Sequence, residues 1–354
     1  MWKATHTEAT SGTVTWKSPS NIALVKYWGK HGVQLPANPS ISFTLDACHT
    51  VTRMDWTPNG AEEMNIRFYF DGEEKPDFLP KIEQFFERIA PYVTPLSGFD
   101  LEIHSHNSFP HSSGIASSAS SMSALALCVC SWERQFVEVS DAEFYQKASV
   151  LARLGSGSAC RSLYGGLVAW GKHADIADAS DEYGVPFAEV HPVFQSYKDT
   201  VLLVDRGQKT VSSTVGHQLM HGHPFAEQRF GKAHENLSDL LVALNKGDLQ
   251  LFTQLVEGEA LMLHAMMMTS TPHFILMKPN TLSIIEKVWA YRQETGTHLC
   301  ITLDAGANVH LLYPQVEEKG ALAFIDSELA QYCQKEHYIC DQVGLGPMQQ
   351  TEKL

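Results

Sequence analysis

Basic side chains are scarce in this chain. Its 354 residues include 26 Lys and Arg against 40 Asp and Glu, which gives a formal net charge of −14. A nucleic-acid-binding protein normally carries a basic face, and an anionic membrane surface attracts clusters of basic residues. We therefore expect neither a nucleic-acid nor a membrane partner. If the ligand is an anion, the few cationic side chains must gather in one cleft, inside a field that otherwise repels it.

Long apolar runs are also missing. No segment reaches the roughly 18 apolar residues that a membrane span needs. The start of the chain, Met1-Trp2-Lys3 followed by polar residues, lacks the apolar core of a signal peptide. The seven cysteines show no paired spacing typical of a zinc site. We expect free, mostly buried thiols in a reducing compartment, and hence a cytoplasmic protein.

The length of the chain is typical of two domains, and a hydrophobic content of 44% is enough for a large core. A loop-rich region over residues 175–200 places the domain boundary near residue 195. We therefore predict one domain over residues 1–195 and a second over residues 196–354.

Residue patterns predict strands and helices in mixed order, which favours an α+β or α/β class over a simple doubly wound sheet. Apolar residues at helical spacing predict helices over 81–90, 141–154, 225–245, 248–264 and 281–293. Alternation and short apolar runs predict strands over 13–16, 51–56, 64–70, 100–105, 167–170, 201–204, 298–303 and 309–313.

A serine- and glycine-rich loop follows the predicted strand at 100–105 and leads into a helix whose first turns have almost no bulky residues. Small residues let an anion approach the main chain, where the unpaired N–H groups of a first helical turn point at it. Ser112, Ser113, Ser117 and Ser118 add hydroxyl donors. The segment predicts a phosphate site, although a small-residue helix packed against a sheet explains it equally well.

Two further segments carry cationic side chains. Lys26 lies in an apolar stretch, where a lysine needs an anionic partner, whereas Lys30 also fits a solvated surface charge. The segment Gly155–Ser162 surrounds Arg161 with small residues and could hold a carboxylate or phosphate in a two-pronged contact. It misses the hydrolase pattern Gly-x-Ser-x-Gly because its fifth residue is Ala159, so a serine nucleophile is not expected. A flexible loop would explain the segment as well.

Asp304 lies among small residues between two predicted strands. A carboxylate there can act as a base, but taken singly it is better explained as a residue that caps a turn. The hydroxyls and the lysine of segment 209–214 could contact phosphates or form a solvated turn. His217 and His221 have the spacing of a metal pair on one helix face, with His223 nearby, but no Glu follows His217 as in zinc proteases.

Several of these segments occur together and in a fixed order: Asn21–Lys30, Leu35–Ser42, Asn107–Ala119, Gly155–Trp170, Val211–Thr214 and Thr302–Asn308. In this combination the chain resembles the mevalonate diphosphate decarboxylase family of the GHMP kinase superfamily, over about residues 13–330. The stretches Lys-Tyr-Trp-Gly-Lys and Gly-Ser-Gly-Ser-Ala-Cys-Arg-Ser are the most specific parts of this resemblance.

The resemblance implies an α+β, two-domain GHMP kinase fold. Its N-terminal, ATP-binding domain would be like domain 2 of ribosomal protein S5, its C-terminal domain would be ferredoxin-like, and the active site would lie in the cleft between them. The family uses ATP and Mg²⁺ to phosphorylate the C3 hydroxyl of mevalonate 5-diphosphate. Loss of that phosphate and of CO₂ then gives isopentenyl diphosphate. We therefore expect ATP and Mg²⁺ as cofactors, with no side chain assigned to the metal, and a homodimer as in relatives.

The resemblance also assigns roles to residues. Asp304 matches the carboxylate beside the C3 hydroxyl, as base or as stabiliser of positive charge; Lys26 matches the lysine near that hydroxyl, and Arg161 the group on the substrate carboxylate. The other substrate contacts match Tyr27, Lys30, Ser156, Ser158 and Ser213. The ATP phosphate loop matches Ser112, Ser113, Gly114, Ser117, Ser118 and Ser120.

The chain departs from the family pattern in places. His111 replaces a threonine in the phosphate loop, and Ala307 replaces a proline after Asp304, which removes some loop stiffness. Thr214 and His217 fall where relatives have Arg and Met near the 5-phosphate end, so a monophosphate substrate stays open. The sequence also leaves open a kinase that stops after C3 phosphorylation, and a non-catalytic protein that binds nucleotides or isoprenoid phosphates.

Overall fold

Strands fill much of the first half of the chain and return at its end. The computed structural model describes residues 2–4, 10–110, 115–205, 207 and 213–351, apart from the side chains of residues 213 and 214. The strands are β1 (Gly12–Val25), β2 (Lys30–His31), β3 (Leu35–Pro36), β4 (Ser40–Pro58), β5 (Asn65–Phe70), β6 (Glu73–Glu74), β7 (Phe99–Asn107), β8 (Leu167–Trp170), β9 (Val185–Phe187), β10 (Lys198–Leu202), β11 (Cys300–Thr302), β12 (Val309–Tyr313), β13 (Tyr338–Gln342) and β14 (Met348–Gln350).

The helices alternate with these strands, which confirms the α+β class. They are α1 (Leu79–Ile89), α2 (Ser117–Arg134), α3 (Asp141–Gly155), α4 (Ser213–Gln218), α5 (Ala226–Lys246), α6 (Leu249–Met268), α7 (Pro279–Thr295) and α8 (Glu318–Phe324). Local signals set several ends. Ser140 and Glu143 form a reciprocal cap at the start of α3, and Gly247 and Gly296 end α5 and α7 in the left-handed conformation.

The first sheet has the order β14-β1-β4-β7-β5-β6, with β8 also paired to β4 and β9 to β8. The 14-residue β1 lies antiparallel to the 19-residue β4, with register shifts between Pro19 and Asn21 and between Ala23 and Val25. Because proline cannot donate to a strand partner, a shift beside Pro19 keeps the ladder intact on both sides. The strand predicted over 13–16 therefore continues to Val25.

The second sheet has the antiparallel order β11-β12-β10-β13. One face packs on α7 and α8 through Leu202, Ile301 and Leu311, among others. The other face joins the core formed by β1, β4, α5 and α6, which contains Val201, Cys300 and Leu312. This second core connects the two sheets, so the position of β11 and β12 relative to β1 is fixed by apolar burial.

The second sheet begins at β10, just after the predicted boundary at residue 195, and the chain then crosses back. β14 returns from the second sheet to pair with β1 at Thr15, Trp16 and Lys17. The boundary stays a prediction. The strand predicted over 298–303 is shorter, because only Cys300–Thr302 pairs with β12, while His298 donates its backbone N–H to Glu317.

The prediction of free, mostly buried thiols is confirmed, since all seven are free and only Cys340 is exposed. Among the described residues, no helix has both the length and the apolar character needed to cross a bilayer.

The buried carboxylate of Asp341 links the two sheets. From β13, it accepts the backbone N–H groups of Asp46 and Ala47 at 2.8 and 2.7 Å on one oxygen and that of Cys48 at 2.7 Å on the other. These donors lie in the part of β4 between the residues that pair with β8 and the residues that pair with β7. An ionised carboxylate is the acceptor that three convergent N–H groups require.

We expect Asp341→Asn to lower the free energy of unfolding by about 2 kcal/mol, because an amide nitrogen would face N–H groups left without an acceptor. Urea unfolding measures this change. Asp239→Asn, on the exposed side of α5, is the matched control and should change stability by less than about 0.5 kcal/mol. Equal midpoints for Asp341→Asn and the control would contradict this role.

Candidate active site

Lys26 and Asp304 form an ion pair between the two sheets. Lys26 follows directly on β1 and is 1% exposed, and its Nζ lies 3.0 Å from Oδ1 of Asp304. The Asp304 side chain keeps 24% of its surface exposed. Burial lowers the pKa of Lys26, and the Asp304 carboxylate opposes that shift. The buried ammonium group therefore depends on a carboxylate that is itself partly exposed.

The main chain of Lys26 is held from the opposite side. Its N–H donates to Oε2 of Glu259 in α6 at 2.8 Å, and its carbonyl accepts Nδ2 of Asn38 at 2.9 Å and a guanidinium nitrogen of Arg229 at 3.2 Å. Glu259 is fully buried and also accepts Arg229 and Asn236, both at 2.6 Å. Both the side chain and the backbone of Lys26 are thus fixed by residues from α5, α6 and the β11–β12 loop.

Asp304 lies in the loop between β11 and β12, and several neighbours fix that loop. The ring of buried His264 lies 3.2 Å from the Asp304 carbonyl, which also accepts the N–H of Gly306 at 2.7 Å. The hydroxyl of Thr281 donates to the carbonyl of Ala307 at 2.7 Å. These contacts hold the loop that carries Asp304 in place.

Arg161 is buried beside this pair. Its Nε donates to the hydroxyl of Ser42 at 3.0 Å, one terminal nitrogen donates to Ser40, and the other donates to Oδ1 of Asn21 at 3.2 Å. Burial lowers the pKa of Arg161, and the negative charge of Asp304 is among the groups that oppose the shift. These three bonds use three of the five guanidinium donors and orient the side chain.

The loop that carries Arg161 is joined to the start of α2 and to Tyr27. The hydroxyls of Ser156 and Ser118 lie 3.3 Å apart, and the carbonyl of Ser158 accepts Nδ2 of Asn21 at 3.3 Å. A Cβ at Gly157 would come within 2.8 Å of the Tyr27 hydroxyl, so only glycine fits there. This geometry brings the two predicted serine segments together at one edge of the cleft.

Tyr27 packs between Trp170 and His217, with ring centroids 4.6 and 4.3 Å away. Burial raises the pKa of the Tyr27 hydroxyl well above its usual range, so this hydroxyl is a neutral donor. Lys30 lies in β2, where its Nζ is 3.0 Å from Oε1 of Gln34. The predicted substrate contacts of Tyr27 and Lys30 stay predictions.

The serine segment divides into different environments. Ser117 is the first residue of α2, and Ala116 before it is left-handed at φ 46°. Ser120 is fully buried, and its hydroxyl lies 2.6 Å from that of Thr50. This hydroxyl is bonded to the sheet, and the expected nucleotide contact of Ser120 stays a prediction.

Other predicted site residues lie outside the part of the chain that the structure describes. Ser112, Ser113 and Gly114 lie outside the described residues, as do His111 and segment 208–212. Ser213 begins α4, but its side chain and that of Thr214 also lie outside what the structure describes.

The histidine cluster is not a metal pair in the described part of the chain. His217 accepts the N–H of Gly29 on Nδ1 at 3.0 Å, whereas His223 accepts the N–H of Phe225 at 3.1 Å and lies 3.1 Å from the carbonyl of Met266. The described residues contain no group of three His, Cys, Asp or Glu side chains that could hold a metal ion.

Comparison with known proteins agrees with this geometry. Residues 18–181 match the profile of the diphosphomevalonate decarboxylase-like N-terminal domain, and residues 200–353 match that of the mevalonate 5-diphosphate decarboxylase C-terminal domain. The diphosphomevalonate decarboxylase of Saccharomyces cerevisiae is 32% identical over 333 residues, which cover 88% of this chain and 81% of the relative. This chain belongs to the mevalonate diphosphate decarboxylase family.

Solved structures of mevalonate diphosphate decarboxylases share the two-domain GHMP kinase fold, and the predicted fold is thereby confirmed. The Staphylococcus aureus enzyme superposes with a TM-score of 0.81 at 27% identity, covering 96% of this chain and 98% of that one. The Enterococcus faecalis enzyme gives a TM-score of 0.80 at 26% identity, covering 96% and 99%. A chain named MDDEF, in complex with MVAPP, AMPPCP and magnesium, gives 0.78 at 25%, covering 96% and 99%.

Sequence reasoning missed the residues that hold the decarboxylase-family motifs in place. Glu259 is the clearest case, because it stands among apolar residues in α6 and binds the backbone of Lys26. An acidic residue in a mostly apolar helix is a signal that could have pointed to a buried partner. The roles of Asn21 and Asn38 had no comparable signal, since a lone asparagine fits any turn.

His217 generates a pH-dependent prediction. Burial lowers the pKa of His217 to about 3, while an unfolded histidine titrates near about 6.5. The neutral His217 ring contributes its full share of the free energy of unfolding above about pH 6.5. Below that pH the histidine is protonated in the unfolded chain but not in the folded one, so this contribution is lost. Between pH 8 and pH 5 the wild type should lose about 2 kcal/mol that His217→Gln does not lose.

Urea unfolding at the two pH values measures this difference. His221→Gln, which removes an exposed imidazole three residues after α4, is the matched control and should follow the wild type. The same loss of stability in wild type and His217→Gln would show that His217 is not held neutral.

Proposed function

We propose that this chain catalyses the ATP-dependent decarboxylation of mevalonate 5-diphosphate, with Lys26, Arg161 and Asp304 as its catalytic residues. The products are isopentenyl diphosphate, ADP, phosphate and CO₂. The observation that carries the proposal is the 3.0 Å pair of buried Lys26 with the cleft-exposed Asp304, beside the buried Arg161, in a chain of the mevalonate diphosphate decarboxylase family.

The chemistry needs two opposite charges close together. Transfer of the γ-phosphoryl group to the C3 hydroxyl requires a cation that offsets the charge on the moving group, and Lys26 is suited to this. The hydroxyl proton needs an acceptor, and Asp304 is an exposed carboxylate beside that cation. Once Asp304 has passed this proton to an oxygen of the departing phosphate, it is ionised again, and the carboxylate stabilises the positive charge that develops at C3.

Arg161 is suited to hold the substrate carboxylate. Three neutral partners fix its plane, and its remaining donors can form a two-pronged bond to a carboxylate. As CO₂ leaves, the electrons of the broken C1–C2 bond form the C2–C3 double bond while the C3–O bond breaks. Holding the carboxylate in one orientation aligns these two bonds.

The start of α2 has the features of a triphosphate site. The first N–H groups of the helix have no partners within it, and Ser117 and Ser118 add hydroxyls without bulk. Serine and backbone donors suit ATP phosphates, and magnesium, when bound, supplies charge neutralisation between the phosphates. The substrate contacts proposed for Tyr27, Lys30, Ser156, Ser158 and Ser213 complete the assignment.

The domain boundary near residue 195, the homodimer and the cytoplasmic location belong to this proposal through sequence reasoning and family resemblance alone. Light scattering of the purified chain tests the dimer: a mass near twice the 39.3 kDa of one chain supports it, and a mass of one chain contradicts it.

One assay tests the function. Purified protein is incubated with ATP, Mg²⁺ and mevalonate carrying either one or two phosphates at C5, labelled at the carboxyl group. Release of labelled CO₂ with the diphosphate supports the proposal. CO₂ release with the monophosphate alone would show that mevalonate 5-phosphate, not the diphosphate, is the substrate. ADP formation without CO₂ release would identify a kinase that acts on the C3 hydroxyl.

We expect Asp304→Asn to slow CO₂ release about 10³-fold, because it removes the acceptor and the charge that stabilises C3. Nucleotide affinity, measured by titration with a fluorescent ATP analogue, should stay within about twofold because the nucleotide site lies at α2. Asp77→Asn, at an exposed position before α1, is the control. Wild-type CO₂ release from Asp304→Asn would refute the role given to Asp304.

A further inference from the structure

Behind the catalytic pair lies a second acid–base pair with no assigned role. Nδ1 of His310 in β12 is 2.7 Å from Oδ2 of Asp199 in β10. Each residue is 2% exposed. Burying two titratable groups costs free energy that apolar residues of similar size would not cost, so the pair calls for an explanation beyond packing.

Strand register places this pair next to the Asp304 loop. Thr302, at the end of β11, lies opposite His310, and the intervening loop contains Asp304. Asp199 is opposite Leu312, two residues further along β12 from the loop. His310 is therefore the member of the pair nearer to Asp304. Both side chains lie on the sheet face that meets the first sheet, the face of Val201 and Leu312.

Three polar atoms of this cluster are buried without hydrogen-bond partners among the described residues. They are Oδ1 of Asp199, Nε2 of His310 and Oγ1 of Thr302. Buried polar atoms are nearly always bonded, and each exception lowers the stability of the fold. A cluster kept at such a cost beside an active site suggests an electrostatic role.

The charges of the two pairs interact. Burial acts to lower the pKa of His310, but the carboxylates of Asp199 and Asp304 outweigh it and raise the pKa. Lys26 acts on His310 in the opposite direction. The imidazole ring and Asp304 therefore stabilise each other's charged forms, and linkage makes this effect reciprocal.

We propose that Asp199 and His310 form a buried positioning pair whose imidazolium end keeps the Asp304 carboxylate ionised. The inference rests on the proposed function of Asp304. Lys26 already favours the ionised carboxylate, but Lys26 must also serve the transferred phosphoryl group. A second cation near the loop keeps Asp304 negative when the phosphoryl group offsets part of the Lys26 charge, and the bond to Asp199 keeps the imidazolium in place.

Other charged or titratable groups face these two pairs from the surrounding elements: Glu259 and His264 from α6, Asp341 from β13, and Arg161 from the loop after α3. All of them are retained in the variants below, so a change between variants reports the altered residue.

The first experiment is the pH profile of CO₂ release by the full chain. His310→Asn keeps a donor near Asp199 but removes the charge. We expect its acidic limb to move up by about 0.5–1 pH unit, since Asp304 would ionise at higher pH. On the plateau, kcat should stay within about threefold of the wild type. A loss of packing alone would lower kcat equally at every pH.

Two further variants complete this experiment. Asp199→Asn/His310→Asn, a neutral amide pair, should show a smaller upward shift than His310→Asn, because it also removes the negative charge of Asp199, and His221→Asn at an exposed position should show none. A profile of His310→Asn that superimposes on the wild type in shape overturns the inference. Wild-type protein without ATP-dependent CO₂ release overturns the proposed function instead.

The second experiment does not depend on activity or on folding of the His310 variants. NMR of histidine-labelled wild-type protein and Asp304→Asn follows the ring of His310 through a pH titration. We expect the pKa of His310 to fall in Asp304→Asn, by the same amount that the His310 charge shifts Asp304. An unchanged His310 titration overturns the inference.

Discussion

The buried ammonium group of Lys26 is the constraint on which the arrangement of the two sheets depends. A lysine at 1% exposure needs a carboxylate within reach, and the structure supplies Asp304 from the far end of the chain, 278 residues away. The backbone of the same residue is bonded to Glu259, which in turn binds Arg229 and Asn236. The second sheet and its helices must therefore close against β1 for the charge to be compensated. The same closure brings Asp304 to Lys26, as the proposed function requires.

Small side chains and hydroxyls account for the rest of the cleft. Arg161 is oriented by neutral hydroxyl and amide oxygens, as its proposed contact with a substrate carboxylate requires. Gly157 leaves room for Tyr27, and the serines at the start of α2 meet the loop that carries Arg161. Few cations are needed in such a site, because each one is buried and weakly screened. This explains how a chain with a net charge of −14 can bind a highly anionic ligand.

The sequence was sufficient where the signal is local. Helices α1 and α3 follow from apolar spacing. The roles of Lys26, Arg161 and Asp304 came from family resemblance, since a lone Asp in a small-residue loop fits a turn as well. Long-range pairings could not be predicted: the return of β14 to β1 and the reach of Asp341 to β4 join residues about 300 positions apart, and no local pattern encodes them. The hydroxyl of Ser120 is bonded to that of Thr50, 70 positions away, and no local pattern predicts this contact either.

The central claim is that Lys26 and Asp304 act as one unit on the C3 centre. A double-mutant cycle on CO₂ release tests it most directly, with Lys26→Met, Asp304→Asn and the combination of both, each checked for folding by urea unfolding. If the pair is a unit, either single substitution removes nearly all of the rate enhancement that the two residues provide together. The double variant should then be slower than the slower single variant by no more than about threefold. Losses that multiply in the double variant would show two independent groups and contradict the account.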